Sequence, residues 1–216
     1  MRKKKSLFII FEGIEGSGKS YQSHKLYRAL KKKKFSVIIT REPGGTKNAE
    51  KIRSVILNDY FSKDSNNTFD KYTDTLLYLA ARNEHVKNVI KPSILKKKII
   101  ICDRFIDSTL AYQVYGKKID KNLVLNIHKH ILKGIKPDLT FILKVSIKKA
   151  LQRLKKRKNK NRYDKFSKNF YIKVQNAFLD IAKKNKNKYF IIENSKDSNQ
   201  TEKIIYNKII NKLKND

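Results

Sequence analysis

The chain has little cysteine and no long apolar segment, and each shortage excludes a class of protein. It has 216 residues and one cysteine, so no intrachain disulfide can form. Cys102 stands inside an apolar run, where we expect a buried strand residue rather than a redox centre. No apolar run approaches the length of a membrane span, so we expect no membrane partner. The length favours one domain with a substantial core.

The N-terminal residues do not have the composition of a secretion signal. Residues 2–5 are basic, but the apolar stretch behind them is only five residues long and ends at Glu12. A signal peptide needs a longer apolar region than this. We therefore expect a cytoplasmic protein.

Acidic residues are also scarce. There are 19 Asp and Glu against 52 Lys and Arg, which gives a net charge of +33. A nucleic-acid binder is one interpretation of this excess. The lysines are spread over the whole chain, with abundant Asn and Ile and little Gly, Pro or Trp, as an AT-rich codon bias would produce at exposed positions. We favour that interpretation, and expect no specific nucleic-acid partner but non-specific binding to polyanions at low salt.

A glycine-rich segment indicates the class of ligand. It has the pattern G-x-x-x-x-G-K-[ST] of a phosphate-binding loop, between an apolar run at 7–11 and a helical pattern at 21–33. In this setting backbone N–H groups surround phosphate oxygens, and the helix dipole adds to the attraction. A chance glycine-rich turn is the alternative. The segment, which we expect to bind ATP, consists of Gly13, Ile14, Glu15, Gly16, Ser17, Gly18, Lys19 and Ser20.

Short apolar runs alternate with helical patterns, which predicts an α/β protein of the P-loop NTPase fold. We expect a five-stranded parallel sheet with helices on both faces. The predicted strands cover 7–11, 36–40, 99–102, 139–145 and 189–192, and the predicted helices cover 21–33, 49–58, 74–95 (broken or bent near Pro92), 122–133, 147–156, 169–184 and 201–214. Residues 59–73 are predicted to form a loop. The basic residues 155–168 form either a solvated helix end or part of a mobile lid at about 153–168.

Charged residues follow three of the predicted strands, at the edge where such sheets bind ligands. Lys19 would reach the β- and γ-phosphates, and the Ser20 hydroxyl would bind Mg²⁺. Asp103 can hold the same ion, while Arg104 and Arg41 can each grip a phosphate in two-point fashion. A structural Asp–Arg ion pair is the alternative. The strand before Arg104 lacks the Asp-Glu ending of a hydrolytic ATPase, which favours transfer to a bound acceptor over hydrolysis.

Tyr78 and Arg82 are four residues apart on a predicted helix and therefore share a face. An aromatic ring can stack on a nucleobase, and a guanidinium can donate hydrogen bonds to base carbonyls. Taken alone, the pair is more often a tyrosine at the edge of the core and an arginine on the surface.

Together these segments resemble the thymidylate kinases, especially the bacterial type, over nearly the whole chain. The resemblance rests on residues 11–20, 40–46 (Thr-Arg-Glu-Pro-Gly-Gly-Thr), 78–82, 103–104 with 108–113 (Ser-Thr-Leu-Ala-Tyr-Gln), and 136–140. The blocks at 40–46 and 108–113 are specific to this family among nucleotide kinases. The resemblance implies transfer of the γ-phosphoryl group of ATP to dTMP with Mg²⁺, by a homodimer.

The resemblance assigns two groups of residues to dTMP. Glu15 would contact the sugar 3′-hydroxyl, Arg41 and Arg104 would surround the acceptor phosphate, and Tyr112 would crowd the ribose 2′ position. The residues implied at the base are Pro43 in the pocket wall, Tyr78 (in place of the family's Phe) stacked on thymine, Arg82 at its carbonyl edge, and Thr109 and Gln113 along the pocket.

Thymidylate kinases have two arrangements of the catalytic arginine, which lies either in the P-loop or in the lid. Gly16 stands where the first type has arginine, so the chain resembles the second type. The resemblance therefore implies a lid arginine beside Lys19 and Arg104 in catalysis. The candidates are Arg153, Arg157 and Arg162.

Two other functions remain open at this point. A P-loop kinase for a nucleoside or another monophosphate would share most of these motifs. A nucleic-acid-dependent P-loop ATPase would account for the charge, although the acceptor blocks and the missing Asp-Glu strand end are against it.

Overall fold

A five-stranded parallel sheet forms the centre of the molecule. The computed structural model describes residues 6–58, 68–158, 162–196 and 199–215. The strands are β1 Leu7–Glu12, β2 Val37–Arg41, β3 Ile99–Asp103, β4 Leu139–Lys144 and β5 Tyr189–Glu193. Their order in the sheet is β2-β3-β1-β4-β5, and every pairing is parallel. The predicted fold class is confirmed.

Helices cover both faces of this sheet. They are α1 Lys19–Lys32, α2 Lys47–Asn58, α3 Lys71–His85, α4 Lys91–Leu95, α5 Ile106–Thr109, α6 Lys121–Leu132, α7 Ile147–Lys155, α8 Lys168–Lys183 and α9 Gln200–Asn215. A π-helix, Val86–Ile90, joins α3 to α4, a second, Leu110–Gly116, continues α5, and a 3₁₀ turn covers Arg162–Lys165. No described helix is both long enough and apolar enough to cross a membrane.

The central strand β1 is buried on both faces, as its unbroken apolar sequence predicts. Leu7, Ile9 and Phe11 pack with α1 and α9 on one face. Phe8 and Ile10 belong to a second cluster on the opposite face, with residues of the first π-helix. Successive side chains of a strand point to opposite faces, so one apolar run supplies both halves of the core.

The helix predicted at 74–95 begins earlier in the structure than predicted. It begins at Lys71, because the Asp70 carboxylate accepts a hydrogen bond from the Tyr72 N–H at 2.7 Å and caps the first turn. The predicted loop 59–73 therefore ends at residue 70, and residues 59–67 lie outside the described part. Near Pro92, where a break or bend was predicted, the π-helix Val86–Ile90 interrupts the α-helix, and its wider turn eases the clash between a proline ring and the preceding carbonyl.

Residues 106–116 form a helix that the sequence analysis did not predict. After the single α-turn of α5, the chain widens into the second π-helix, and the Lys117 N–H donates to the Tyr112 carbonyl at 2.9 Å. The apolar positions Ile106 and Leu110 are four apart, but polar side chains needed inside the molecule, such as Thr109, interrupt the amphipathic pattern.

The strand register brings the motif residues to one edge of the sheet. Phe11 is opposite Asp103 across the β1–β3 pair, and Arg41 is opposite Asp103 across the β2–β3 pair. The loop after β1, the loop after β2 and Arg104 therefore open on the same crevice.

Candidate active site

The loop between β1 and α1 has the backbone conformation of a phosphate-binding loop. Gly13, Gly16 and Gly18 all have positive φ, at 137°, 73° and 90°. A Cβ on Gly16 would lie 2.6 Å from the carbonyl oxygen of Ala150 on α7, so this position also needs glycine for lack of space. Gly16 thus allows α7, which precedes the lid, to approach the loop closely.

Lys19 is buried inside this loop. Its Nζ donates to the carbonyl oxygen of Ile14 at 2.8 Å, which holds the side chain over the loop. Burial, together with the neighbouring Arg104 guanidinium, lowers the pKa of Lys19 to about 8. A phosphate group beside the ammonium would oppose both effects.

Ser20 and Asp103 form the oxygen pair that the sequence predicts for Mg²⁺. Ser20 Oγ donates to Asp103 Oδ2 at 2.5 Å, at the start of α1 and the end of β3. Among the described residues no cluster of three His, Cys, Asp or Glu side chains is present. Two hard oxygen ligands suit Mg²⁺, which is commonly bound by one or two carboxylates together with water and substrate phosphates.

Arg104 is fixed from several directions at the centre of the crevice. Its Nη1 donates to Gly13 O at 3.1 Å and to Ser108 Oγ at 2.8 Å, and its Nη2 lies 2.5 Å from Glu15 Oε1. Burial would lower the pKa of Arg104, but the Glu15 carboxylate and the Tyr112 hydroxyl together raise it well above the ordinary value. The carboxylate that pairs with Arg104 is Glu15. The alternative considered from the sequence, a structural ion pair of Arg104 with an aspartate such as the adjacent Asp103, is not what the structure shows.

A buried carboxyl supports Arg104 from behind. Glu12 Oε1 accepts hydrogen bonds from the backbone N–H groups of Phe105 (2.7 Å) and Ser108 (3.2 Å). Its Oε2 accepts from Ser108 Oγ at 2.6 Å, and that hydroxyl in turn accepts from Arg104. Burial and the nearby Asp107 raise the pKa of Glu12 to about 8.

A cleft of about 570 Å³ runs along the P-loop, and a smaller cavity of about 20 Å³ opens beside it. Arg104 lines both. The small cavity is lined by Glu42, Pro43, Tyr78, Arg82, Arg104, Ser108, Thr109, Tyr112, Gln113 and Tyr163. All five residues expected at the base of dTMP are therefore brought together here, along with Arg104 and Tyr112.

Arg82 is a fixed wall of this cavity. Every nitrogen of its guanidinium has a protein partner: Nε and Nη2 contact Glu42, Nη1 contacts Thr109 and His128 at 2.7 Å each, and Nη2 also donates to Phe105 O. Burial and the positive Arg82 lower the pKa of His128 to about 3, so its neutral ring accepts at Nε2. The expected contact of Arg82 with a base carbonyl stays a prediction.

The comparisons with known proteins agree on one family. The family model described as thymidylate kinase matches residues 11–205. The chain belongs to the thymidylate kinase family. It is 42% identical to a thymidylate kinase of Wolbachia pipientis wMel, over 96% of this chain and 100% of the relative. It is 40% identical to the thymidylate kinase of Mycoplasma capricolum, over 96% of each chain.

A solved structure extends the comparison to three dimensions. The crystal structure of thymidylate kinase from Ehrlichia chaffeensis superposes with a TM-score of 0.74 and 36% sequence identity. The match covers 97% of this chain and 99% of that one. The predicted family and P-loop NTPase fold are therefore confirmed, whereas the roles of individual residues rest on the geometry.

In this member of the thymidylate kinase family, two of the three candidate lid arginines line the P-loop cleft. Arg153 Nη1 donates to Gly16 O at 2.8 Å and its Nη2 donates to Asn194 O at 3.0 Å, so Arg153 joins the loop to the end of β5. Arg157 follows on the exposed side of the same cleft. Arg162 lies elsewhere, 2.5 Å from Asp74 on α3.

Arg41 reaches the P-loop cleft together with an arginine that the sequence analysis missed. Arg41 Nη2 pairs with Glu50 on α2 at 3.0 Å and is more than half exposed. Arg53, one turn further along α2, donates from Nη1 to Pro43 O at 2.8 Å and lines the same cleft. Burial, and then Arg41, lower the pKa of Arg53, as expected where two cations share one wall.

Among the other lining residues that were not predicted individually, four contact a predicted one. Glu42 and Ser108 lie inside the two family-specific blocks, so the blocks pointed to their positions. Tyr163 lies in the lid and lines both the cleft and the small cavity. Asn194 lines a neighbouring cavity of about 380 Å³ behind Gly18, and its Nδ2 donates to Ser17 O at 2.7 Å. Nothing in the local sequence around Asn194 marks it.

Proposed function

We propose that the chain transfers the γ-phosphoryl group of ATP to dTMP, which yields ADP and dTDP. The observation that carries this proposal is the position of Arg104, which lines both the P-loop cleft and the small aromatic cavity. A phosphate held at Arg104 would be shared between a polyphosphate donor in the cleft and an acceptor whose base enters the cavity.

The donor occupies the P-loop side. Backbone N–H groups of residues 13–20 and the Lys19 ammonium bind its phosphates. Arg153 and Arg157 face the same cleft and balance the negative charge of the donor phosphates. The neighbouring 380 Å³ cavity, lined by Arg153 and Asn194 among others, is the place for the nucleoside part of ATP.

Mg²⁺ fits the oxygen pair at the edge of this cleft. Ser20 Oγ and Asp103 Oδ2 would hold the ion, because both are hard oxygen ligands and they converge at 2.5 Å. When bound, Mg²⁺ neutralises charge on the transferring phosphoryl group and on the leaving ADP.

The acceptor occupies the aromatic side. Tyr78 offers a ring face for the base, Pro43 and Thr109 form its walls, and Gln113 lies at its edge. The Tyr112 hydroxyl donates to Glu15 Oε2, so the two residues proposed at the sugar hold each other in place. Arg41, Arg53 and Arg104 surround the acceptor phosphate in this proposal.

The reaction itself needs no covalent step on the protein. An oxygen of the dTMP phosphate attacks the γ-phosphorus in line, and the bond to the β–γ bridging oxygen of ATP breaks. The work of Lys19, Arg104 and a lid arginine is to position the groups and to neutralise developing charge. Tyr112 lines the small cavity and hydrogen-bonds Glu15, and in this proposal its ring crowds the 2′ position of the sugar and so favours deoxyribose.

The test is ADP release, measured by a coupled assay with dTMP, dUMP, UMP, dCMP, dGMP and thymidine as acceptors. We expect dTMP to be the preferred acceptor and UMP to react much more slowly. Equal rates with UMP would refute the role of Tyr112. Preference for thymidine or for another monophosphate would replace the proposal with another P-loop kinase activity.

The proposal also covers the domain organisation, the cellular location and the oligomeric state. The chain acts as a single domain with a lid at about 153–168, in the cytoplasm, where ATP and dTMP are supplied.

We further propose that it acts as a homodimer through one surface formed by α2, α3 and α6. Helix α3 contacts both α2 and α6. These helices expose the large apolar side chains of Val55, Tyr72, Leu76, Leu123 and Leu125. A solution mass near twice 25.4 kDa would support this assembly.

A further inference from the structure

A fully buried carboxylate stands behind the base cavity, and no role assigned so far uses it. Asp74 lies in the first turn of α3 with an exposed fraction of 0%. Its Oδ1 is 2.5 Å from Arg162 Nη1 and its Oδ2 is 2.5 Å from Lys117 Nζ. Asp74 thus joins α3 to the lid and to the end of the second π-helix.

The same carboxylate constrains the side-chain amide of Gln113. Gln113 Nε2 points at Asp74 Oδ2 across a long contact of 3.5 Å. A carboxylate only accepts hydrogen bonds, so it attracts the amide NH₂ and repels the amide oxygen. Because Gln113 also lines the base cavity, Oε1 is the end of the amide left to face a base.

The lid side of the arrangement reaches the same cavity through the next residue. Tyr163 follows Arg162, and its hydroxyl hydrogen-bonds the Tyr78 hydroxyl. Its ring contacts Tyr112 edge-on, with centroids 5.9 Å apart. The Arg162–Asp74 ion pair therefore holds Tyr163 between two aromatic rings of the base cavity.

We propose that Asp74 is a positioning residue that sets the pyrimidine specificity of the acceptor site and holds the lid against it. The inference rests on the proposed function. Gln113 Oε1, turned to the cavity, accepts the N3–H of thymine or uracil. Cytosine has a lone pair at N3, which would face the lone pairs of Oε1 and be rejected.

The charge balance makes the effect specific to Asp74. One buried carboxylate lies between two cations, Arg162 and Lys117, whose side chains are only 12% and 19% exposed. Removing the negative charge leaves both cations without this partner and frees the Gln113 amide to turn over. A change of base specificity and a change of lid contact should therefore appear together.

The test is Asp74→Asn, with steady-state kinetics on dTMP and dCMP and a thermal melt. We expect KM for dTMP to rise about tenfold, because the lid loses its ion pair with Asp74. The dTMP/dCMP ratio of kcat/KM should fall about tenfold, because the Gln113 amide can then turn its NH₂ to the base. The matched control, Asp180→Asn on the exposed side of α8, should change neither. Loss of packing alone would lower activity on both substrates and leave the ratio unchanged.

A second variant decides the case if Asp74→Asn does not fold. Arg162→Met removes the lid's contacts with Asp74 and with the Ile56 carbonyl but leaves the Asp74 charge beside Gln113, so KM for dTMP should rise while the dTMP/dCMP ratio stays at the wild-type value. A folded Asp74→Asn with wild-type KM and ratio, or an Arg162→Met with wild-type KM, would overturn the inference. A wild-type protein that does not phosphorylate dTMP would overturn the proposed function and the inference with it.

Discussion

Burial controls the ionisable side chains around Arg104. Glu12 and Lys19 are both buried and both have a pKa of about 8, although the ordinary values lie far apart at 4.5 and 10.5. Each shift disfavours the charged form, as desolvation requires. The two groups therefore titrate in the same range, around pH 8, and both are electrostatic neighbours of the Arg104 guanidinium.

Glu12 should make the stability of the fold depend on pH. Its carboxyl has a pKa of about 8 in the folded chain against 4.5 for the free group, so the folded state holds an extra proton between these values. The free energy of unfolding should fall as pH rises from 5 to 8. Relative to the isosteric variant Glu12→Gln, the wild type should lose roughly 2–4 kcal/mol over this interval in urea unfolding. Parallel pH curves for the two proteins would contradict the assignment.

Lys19 and Arg104 should be needed for turnover and not for folding. Lys19→Ala and Arg104→Ala should each lower kcat with ATP and dTMP by on the order of 10³. Each variant removes a positive side chain that would otherwise stabilise the negative charge of the transferring phosphoryl group. Both variants should keep a cooperative thermal transition. The control is Lys25→Ala on the same helix as Lys19, which should retain the wild-type kcat. Near-normal kcat in either site variant would remove that residue from the mechanism.

At the scale of elements, the sequence was sufficient for the sheet. Each strand is a short apolar run, so the predicted strands agree with the observed ones to within a residue or so at each end. Helix α3 begins three residues before its predicted start because Asp70 caps it. The sequence did not indicate this cap, since Asp70 lies in a polar segment that is typical of a loop. The helix at 106–116 was missed because its buried face carries Thr109 and Gln113, which break the apolar period.

Arg53 and Tyr163 show why part of the site could not be predicted. Arg53 lies on an amphipathic helix and has the spacing of a solvated charge. Tyr163 lies in a basic, polar segment with no apolar period. A signal for Arg53 does exist, because the chain has only nine arginines among its 52 basic residues. Six of the nine line the two cavities, where the two-point geometry of a guanidinium is not replaceable by lysine.

The lid arginines should separate by function. Arg157→Ala should lower kcat by about 10²–10³ with little change in Tm, because Arg157 faces the cleft from its exposed side. Arg153→Ala should lower both kcat and Tm, the latter by several degrees, because it also loses hydrogen bonds to Gly16 O and Asn194 O. Lys158→Ala is the control. A normal kcat in Arg157→Ala would move the catalytic role to another lid residue.

At the scale of the whole molecule, arginine is concentrated at the candidate active site, whereas lysine is dispersed over the chain. The wall of the P-loop cleft includes four arginines besides Arg104, namely Arg41, Arg53, Arg153 and Arg157. Of these, Arg41 also forms an ion pair with Glu50 on α2. The cleft is also lined by Glu15, Glu42 and Asp103, and bound ATP and dTMP would add further negative charge beside the arginines. Among the described residues, the lysines outside it are dispersed over helices and turns, and most of them are exposed.

That dispersion predicts weak, salt-sensitive binding to nucleic acid without a functional response. In fluorescence anisotropy with a labelled DNA duplex, affinity should fall at least about 100-fold between about 50 mM and about 200 mM salt, because phosphate contacts release counterions. DNA should not increase ADP release in the absence of dTMP. Since exposed lysines act only as point charges, sequence variation in the duplex should not change the affinity. DNA-stimulated ADP release, or binding that persists at high salt, would instead support a second, nucleic-acid-dependent function.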